Sequence, residues 1–410
     1  MRVSKTLQYK IIQANKHKLL SINTTMRQYR KCINFYLHEI AKETKLGDIY
    51  YQAKQQYSLP AALIQTARDI AKEQYKSYKN NIDNPCFPHF TGLIPMRMDK
   101  RSISFKEENN HFKMWANIAT INGRVKVPIT SCDKYINELK NNHFKSVQLK
   151  YNKFKGFYLN VIFEENKRIP SEKDFEHFVG IDRGITNLAT IVVQNRDGDI
   201  LESKFFDGHK SMEKRRRYAE LRKQFGKKKL WNKIKDTKNK ERNYMNDTNQ
   251  KISTEIIKIV KKYPNAVVVL ENLKNIRKNM DFGKKMNKKV HSWAFKKLED
   301  MIIYKAHNNS IAVRRVYPKG TSSVCKNCFG KIRRSPSNRA VCETCKMEYN
   351  ADWLGAVNIT RRLFSYMLNN LGYSGFSPRH GNVDSEGVTA PDQQKNNGVG
   401  LVAQLRRNSP

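Results

Sequence analysis

The stretch that decides the fold is FVGIDRGITNLATIVV, residues 178–193. Its two apolar runs flank a turn at Gly184, which predicts two β-strands joined by that turn. Asp182 lies within the first apolar run, where a charge is costly to bury without a partner. An aspartate near a strand–turn junction is also common as a turn or cap residue, so Asp182 alone leaves both interpretations open.

The segments that follow extend this pair of strands into a larger domain. ILESKFF at 200–206, NAVVVLEN at 265–272 and IAVRRVYP at 311–318 have the composition of strands. Residues 211–262, 291–307 and 351–369 are predicted to be helical. The resulting order is β-β-β-α-β-α-β, then an insert and a last helix. It matches an RNase H-like mixed sheet and predicts an α/β multi-domain protein.

Two further acids lie at the ends of elements in this order. Glu271 ends the apolar run AVVVLE, and Asp352 begins the helix predicted at 351–369. Taken singly, Glu271 would be a solvated strand end and Asp352 a helix N-cap. The element order makes us expect Asp182, Glu271 and Asp352 to converge. Converged carboxylates repel unless cations neutralise them, and two Mg²⁺ ions about 3.5–4 Å apart, which activate water against a phosphodiester, are the usual solution.

The first 170 residues have a different pattern. Residues 1–20 alternate loosely as a strand does, and apolar residues have helical spacing from 21 to about 80. NPCFPHFTGLIP at 84–95 holds three prolines and one glycine, which predicts a linker without regular structure. Short β-rich runs then follow to about 168. They predict an antiparallel barrel or sandwich with the helical block inserted in it.

The composition points to a polyanionic partner. The chain has 410 residues, with 78 Lys and Arg against 37 Asp and Glu, so its formal net charge is +41. Nucleic acid is the commonest large polyanion that balances such a charge. With 39% hydrophobic residues the chain has enough for packed cores, so it is not a disordered basic tail. No apolar stretch reaches the ~18 residues of a membrane span, and no secretory signal is visible.

Four of the seven cysteines form a compact motif. Cys325 and Cys328 make one Cys-x-x-Cys pair, and Cys342 and Cys345 make the second. Without an export signal the compartment is expected to be reducing, so the motif predicts one tetrahedral Zn²⁺ rather than disulfides. Four free thiols are the alternative. No open coordination position is indicated, so we expect a structural rather than a catalytic zinc.

Basic residues are concentrated in one long segment. Residues 204–242 hold 16 Lys or Arg against 5 acids, which favours nucleic-acid contact over an ordinary solvated helix face. Tyr218, Phe225 and Trp231 either stack bases there or belong to the core. The candidate nucleic-acid contacts are Arg27, Arg30, Lys31, Lys214, Arg215, Arg216, Arg217, Lys227, Lys228, Lys229, Arg333 and Arg334.

Four motifs in this order resemble the TnpB (OrfB) family of transposon-encoded, RNA-guided DNA endonucleases, which are related to the type V CRISPR effectors. They are VGIDRGITNLAT, VVLENLKNI, TSSVCKNC with CETC, and NADWLGAVNI. The resemblance is most specific over 177–362. Three positions depart from the family pattern. Arg183 replaces a usual leucine, Gly330 is displaced by one residue from its usual place after the second cysteine, and Asn350 stands where a second acid is common.

The resemblance implies catalytic roles for Asp182, Glu271 and Asp352 and zinc ligation by the four cysteines. It also implies a guide RNA, a double-stranded DNA target next to a short motif, and action in the prokaryotic cytoplasm at the nucleoid. The implied domains are a wedge-type β-barrel at 1–20 and 84–170, a helical recognition insert at 21–83, a RuvC-like domain at 177–320 and 347–370, a zinc-binding insert at 321–346 and a flexible tail at 371–410.

Three other functions share these features. They are a compact type V CRISPR effector, a nuclease-inactive RNA-guided repressor, and a transposase with an RNase H-like core. The intact acid triad argues against the repressor, and a transposase needs no RNA. The sequence leaves the oligomeric state open, with a monomer favoured and no membrane partner expected.

Overall fold

The computed structural model describes residues 1–81, 86–108, 111–273, 295–335 and 338–370. They divide into one compact unit over Arg2–Asn166 and a second from Lys167 onward, which also takes in Met1. The tail expected to be flexible at 371–410 lies outside the described residues, as do residues 291–294 of the helix expected at 291–307. Within the described part of the chain no helix is long and apolar enough to cross a membrane.

The unit Arg2–Asn166 is built on one seven-stranded antiparallel sheet. Its hydrogen-bonded order is β2-β6-β7-β1-β5-β4-β3, so the N-terminal strand lies in the middle, as expected for a helical block inserted after it. The strands are β1 (Arg2–Ile11), β2 (Met96–Met98), β3 (Ile103–Glu107), β4 (Met114–Thr120), β5 (Gly123–Thr130), β6 (Phe144–Asn152) and β7 (Gly156–Asn166).

Three helices follow β1: α1 (Lys16–Ala41), α2 (Leu46–Gln56) and α3 (Ala61–Lys79). They share one apolar core with the sheet, in which Tyr9 and Val161 of the strands pack with Met26 and Leu63 of the helices. The helical block therefore has no separate core. It begins earlier than the expected residue 21, because the strand alternation stops at Ile11. Helix α4 (Asp133–Asn141) was not predicted, since its nine residues bury only two side chains.

The second unit contains the predicted mixed sheet. Its order is β10-β9-β8-β11-β12, with β8, β11 and β12 parallel and β9 and β10 antiparallel to their neighbours. The strands are β8 (His177–Asp182), β9 (Asn187–Asn195), β10 (Ile200–Asp207), β11 (Ala266–Glu271) and β12 (Ala312–Val316). The RNase H-like fold predicted from the element order is confirmed.

Helices cover both faces of this sheet. Helices α6 (Trp231–Val260) and α7 (Phe295–Asn308) bury one face through Val179, Ile181 and their neighbours, and α8 (Ala351–Asn370) buries the other through Phe178 and Val267. Helix α5 (His209–Lys227) pairs with α6 as a hairpin. The single helical stretch expected at 211–262 is thus two helices, because Lys229 takes a left-handed backbone with φ 52°.

The cysteine module is a small antiparallel sheet between β12 and α8. It consists of β13 (Ile332–Arg334), β14 (Arg339–Cys342) and β15 (Glu348–Asn350), in that order. Tyr349 at its end stacks on Trp353 of α8, with ring centroids 6.2 Å apart. The module therefore leads directly into the helix that carries Asp352.

Helix α8 lies unusually close to strand β8. A Cβ atom on Gly180 would lie 2.1 Å from the carbonyl oxygen of Ala356 and 2.8 Å from Cγ2 of Thr360. Real Cβ atoms do not approach backbone oxygens this closely, so only glycine permits the packing. The separation between α8 and the sheet is set at this residue.

We predict that Gly180→Ala destabilises the second unit by about 2–3 kcal/mol, because the added methyl group must push α8 off the sheet. Differential scanning calorimetry of the full chain would show this as a fall of several degrees in melting temperature. Gly226→Ala is the matched control. Gly226 lies within α5, and a Cβ added there would meet nothing within 4 Å, so alanine should be neutral or stabilising. Equal melting temperatures for the two variants would contradict the packing argument.

Candidate functional site

Asp182 and Glu271 end two neighbouring parallel strands. Asp182 is the last residue of β8 and Glu271 the last of β11, and the preceding residues Ile181 and Leu270 are partners in the ladder. Side chains alternate along a strand, and Ile181 and Leu270 point into the core under α6 and α7. Both acids therefore point to the opposite face, which α8 covers.

The first turn of α8 lies directly over Asp182. A Cβ atom on Gly355 would lie 2.7 Å from Oδ2 of Asp182, so the carboxylate occupies the space that any larger side chain would need. Asp352 is three residues earlier on the same helix and therefore shares the face of Gly355. The structure brings the three predicted acids to one place.

Asp352 is not the N-cap of α8. The side-chain oxygen of Asn350 accepts hydrogen bonds from the backbone N–H groups of Asp352 at 3.0 Å and Trp353 at 3.2 Å, which is the N-cap pattern. The carboxylate of Asp352 is left for other contacts. Its Oδ2 accepts from the amides of Asn187 at 2.7 Å and Asn338 at 2.8 Å. These two amides fix the orientation of Asp352.

Burial raises the pKa values of two of the acids. Burial raises the pKa of Asp182 to about 8, and the negative charges of Glu271 and Asp352 act in the same direction. Burial also raises the pKa of Glu271, against the hydrogen bond from Thr321 and the charge of Arg183, which lower it. Neighbouring buried carboxyl groups with raised pKa values fit a site in which a bound cation balances their negative charge.

A hydroxyl group without a partner lies beside these acids. Thr190 on β9 is the ladder partner of Asp182, so its side chain stands on the same face of the sheet. Its Oγ1 is buried and has no hydrogen-bond partner. A buried, unsatisfied oxygen next to a carboxylate cluster fits a site that holds a hydrated cation.

Arg183, the residue that departs from the family pattern, is part of a buried ion-pair network. Its side chain is 1% exposed, and its Nη1 donates to Oε2 of Glu299 on α7 at 2.6 Å. Its Nη2 donates to the backbone carbonyl of Glu271 at 2.8 Å. The other oxygen of Glu299 accepts from Nε of Arg315 at 2.9 Å. Arg183 therefore ties the end of β11, and with it Glu271, to α7.

We predict that Arg183→Leu lowers stability by about 3 kcal/mol, because it leaves the buried Glu299 with one partner fewer. The double variant Arg183→Leu/Glu299→Leu should lose less than the sum of the two single variants, with a coupling of about 1–3 kcal/mol. Thermal unfolding by calorimetry measures all four proteins.

The matched control is the exposed pair Arg216 and Glu220 on α5, which lie 3.9 Å apart with side chains 76% and 65% exposed. Replacing these two residues in the same cycle should give a coupling near zero. A coupling no larger for Arg183 and Glu299 than for this exposed pair would refute the network.

The four cysteines form a tetrathiol site. Their sulfur atoms all lie within 4.8 Å of one another. The Cys325 and Cys345 sulfurs are 3.6 Å apart and those of Cys328 and Cys342 are 3.4 Å apart, so the residues are thiols and not disulfides. A tetrahedral Zn²⁺ with bonds of about 2.3 Å holds its sulfurs about 3.8 Å apart. The thiols thus fit one structural Zn²⁺.

The backbone of both cysteine knuckles follows one plan. The residue after the second cysteine of each pair is left-handed, Phe329 with φ 61° and Lys346 with φ 59°. Phe329 takes the conformation that a glycine usually supplies. Gly330 is needed for a different reason, since a Cβ there would lie 2.3 Å from Oγ1 of Thr344. The displaced glycine of the sequence is thus a packing requirement between the two knuckles.

One amide ties the cysteine module to the acids. Nδ2 of Asn358 on α8 donates to the backbone carbonyls of Thr321 and Val324, both at 2.8 Å. The hydroxyl of Thr321 in turn bonds Oε1 of Glu271. The chain entering the first knuckle is therefore held against both α8 and a site acid.

The predicted basic residues are not equivalent in the structure. Arg334 is exposed and acts electrostatically on both Asp182 and Glu271, so it lies near the acids. Arg215 is paired with Glu241 between α5 and α6, and the Lys214 ammonium lies 4.4 Å from the ring centroid of Tyr244. The remaining exposed candidates are Arg27, Lys31, Arg216, Arg217, Lys227, Lys228, Lys229 and Arg333, and Arg30 is half-buried.

Comparison with known proteins agrees with this architecture. Residues 158–326 match the model of the RuvC nuclease domain, and residues 295–359 match that of the Cas12f1-like TNB domain. The chain carries a RuvC nuclease domain. The match to the TNB model takes in all four cysteines and α7.

Individual relatives point the same way. A TnpB-like protein of Methanocaldococcus jannaschii is 26% identical over 236 residues, which cover 56% of this chain and 82% of that protein. The CRISPR-associated endodeoxyribonuclease Cas12f1 of Sulfoacidibacillus thermotolerans is 27% identical over 217 residues, 50% of this chain and 49% of that protein. These matches support a TnpB-family, Cas12-related protein. The fold of Cas12f1 in a complex with sgRNA and target DNA superposes with a TM-score of 0.63 at 14% identity, covering 88% of this chain and 99% of that one.

The candidate site contains residues that no sequence pattern singled out. They are Asn187, Asn338, Thr321 and Glu299. Glu299 was detectable in principle. Arg183 follows an apolar strand and Glu299 lies in an amphipathic helix, and two isolated opposite charges in such segments suggest an ion pair. The contacts of the two asparagines and the threonine depend on chain segments that meet only after folding.

Proposed function

We propose that this protein is an RNA-guided DNA endonuclease of the transposon-encoded type, which hydrolyses phosphodiester bonds of double-stranded DNA next to a short motif. The observation that carries the proposal is the convergence of Asp182, Glu271 and Asp352 on one face of a RuvC nuclease domain. The relatives add support, since a Cas12f1 of the same fold is described in complex with sgRNA and target DNA. On this proposal guide RNA and target DNA are the partners.

Mg²⁺ suits the donor set of the three acids. Carboxylates are hard oxygen ligands, and burial together with the negative charges of Glu271 and Asp352 raises the pKa of Asp182, an effect that a bound cation would oppose. The ligand atoms of the four cysteines all lie within 4.8 Å of one another. In the described part of the chain the three acids do not form a group as tight as this, so their oxygens are spread more widely. We propose two ions shared by the three acids, the usual arrangement for phosphodiester hydrolysis by carboxylate sites. When bound, the ions would supply charge neutralisation and an activated water.

The residues around the acids would prepare them for this role. Asn187 and Asn338 hold Asp352 through one oxygen, and Thr321 holds Glu271. Arg334 is exposed at the acids, where it would meet the phosphates of the strand being cut. These contacts fix ligand geometry before DNA arrives, which is the preorganisation that hydrolysis needs.

The α5–α6 hairpin would be a nucleic-acid contact. Lys227, Lys228 and Lys229 are exposed at its turn, and Trp231 beside them is 67% exposed. A cluster of lysines with an exposed indole fits a nucleic-acid backbone and an unstacked base. An RNA-guided protein recognises the guide–target duplex by its backbone and shape, so scattered positive charge suits it better than one reading helix.

The competing functions differ in what they require. A repressor would not need the acids, a transposase would not need RNA, and a compact type V effector would carry RNA copied from a repeat array. A guide RNA that derives from the transposon end would identify the protein as the transposon-encoded nuclease and not as a type V effector. We expect the protein to act as a monomer in the prokaryotic cytoplasm, at the nucleoid.

We predict that the protein purified with its own RNA cuts a guide-matched plasmid only when Mg²⁺ is present. Asp182→Asn, Glu271→Gln and Asp352→Asn should each reduce the cleavage rate at least about 10³-fold, a typical order for electrostatic and metal-ligand contributions. Gel analysis of plasmid cleavage measures the rate. Sequencing the RNA that co-purifies identifies the guide.

Asp197→Asn is the control, because Asp197 is an exposed acid in the turn between β9 and β10. It should cleave at the unmodified rate. Cleavage that survives RNase treatment of the protein, or that persists in Asp182→Asn, would reject the proposed function.

We predict one Zn²⁺ per chain, held by the four cysteines. Cys342→Ser should lose the zinc and lower the melting temperature, because a structural zinc site contributes directly to folding. Elemental analysis by mass spectrometry measures the metal and calorimetry the stability. Cys86→Ser, at an exposed cysteine outside the cluster, should leave both unchanged. A full zinc content in Cys342→Ser would contradict the assignment.

A further inference from the structure

An open groove of about 560 Å³ lies in the Arg2–Asn166 unit. One wall is a face of α1, and the other consists of Tyr57 and the segment that leads into the sheet. Its volume is within the range of about 300–1,000 Å³ that small-ligand sites occupy. The lining residues are Arg30, Lys31, Asn34, Phe35, His38, Tyr57, His89, Phe90 and Thr91.

The walls of the groove are tied together in advance. The Asn34 amide donates to the Phe90 carbonyl at 3.0 Å and accepts from the Phe90 N–H at 2.9 Å, which locks the entering segment onto α1. Phe35 packs edge-on against Tyr57 with centroids 5.9 Å apart. These contacts restrain the walls of the groove, so less order has to be gained when a ligand binds.

The charge of the groove is positive. Arg30 and Lys31 contribute two permanent cations, and none of the described lining residues is a carboxylate. Arg30 donates through Nη1 to the Gly92 carbonyl at 3.2 Å, while its Nε is buried without a hydrogen-bond partner. The guanidinium is therefore held in place beside the groove, where its positive charge suits an anion.

The groove also offers aromatic surface next to these cations. Phe35, Tyr57 and Phe90 are half-buried, so part of each ring faces the groove. An acidic peptide would need the cations but not three rings. A nucleotide needs both, since its base stacks on aromatic rings and its phosphate pairs with Arg or Lys.

We propose that this groove binds one unstacked nucleotide of a single nucleic-acid strand, with the base against Tyr57 and Phe90 and the phosphate at Arg30 and Lys31. The inference rests on the proposed function only in taking nucleic acid as the ligand. It does not depend on the acids or on cleavage. The chemistry is common to RNA and DNA, so the experiment must distinguish the two sources.

Photochemical cross-linking tests the proposal on the full chain. The probes are short oligouridine and oligothymidine that contain 5-iodouracil, which cross-links to aromatic rings in contact with it. The protein carries Asp182→Asn so that the result is independent of cleavage. Peptide mass spectrometry should find cross-links at Tyr57, Phe90 or Phe35, and the probe that gives them identifies RNA or DNA as the source. Cross-links confined to other exposed aromatics, such as Trp231 and Phe154, would overturn the proposal.

Variants then test the two halves of the site. Tyr57→Leu should lower the cross-link yield at Phe90 about tenfold, the effect of losing one stacked base. Lys31→Gln should lower it less and reduce the slope of log yield against log salt by about 0.7, because one phosphate contact is lost. The matched controls are Tyr51→Leu and Lys54→Gln, at exposed positions on α2 outside the groove.

These controls should leave the yield and its salt dependence unchanged. Melting temperatures show whether each variant is folded. If Tyr57→Leu does not fold, the positions of the cross-links in the protein with an unsubstituted groove decide whether the groove is the binding site. Equal yields from Tyr57→Leu and Tyr51→Leu would reject the groove as the binding site. A failure to cut DNA, in contrast, would reject the proposed nuclease and leave this result intact.

Discussion

The close approach of α8 to β8 at Gly180 is the contact on which the site depends. The Ala356 carbonyl occupies the place where a Cβ of residue 180 would lie. At this separation the first turn of α8 falls onto the end of the strand, and Gly355 leaves room for the Asp182 carboxylate. A helix held further away would remove Asp352 from the other two acids. Two glycines, and not the acids themselves, therefore set the geometry of the site.

The acids are then stabilised from two sides. On one side Arg183 connects the Glu271 backbone to the buried Glu299. On the other, the cysteine module supplies Asn338 to Asp352, and the segment that enters it supplies Thr321 to Glu271. A zinc ion bound by the module would fix both of these donors, because the strands and turns that carry them are only a few residues long. The zinc would thus support the acids without taking part in the chemistry.

The unit Arg2–Asn166 is organised differently. Its helices and its sheet share one apolar core, so the helical block cannot move as a separate domain without exposing that core. The same packing brings α1 and the proline-containing entry segment together and forms a groove with cations and aromatic rings side by side. Hydrophobic burial holds this unit together and leaves polar and aromatic groups at its surface.

The sequence alone predicted the kind and order of most elements, the mixed sheet and the cysteine motif, because strand alternation, helix spacing and ligand spacing are local properties of the chain. It also named the three acids that the structure brings together, whose catalytic roles are a proposal. It did not predict α4, the break at Lys229 or the role of Asn350 as cap, since short polar elements have little pattern. Tertiary structure alone decided the amides on Asp352, the pairing of Arg183 with Glu299 and the groove, because these contacts join residues that are up to 165 positions apart. Such contacts follow from strand register and the spacing of packed elements, which no local pattern encodes.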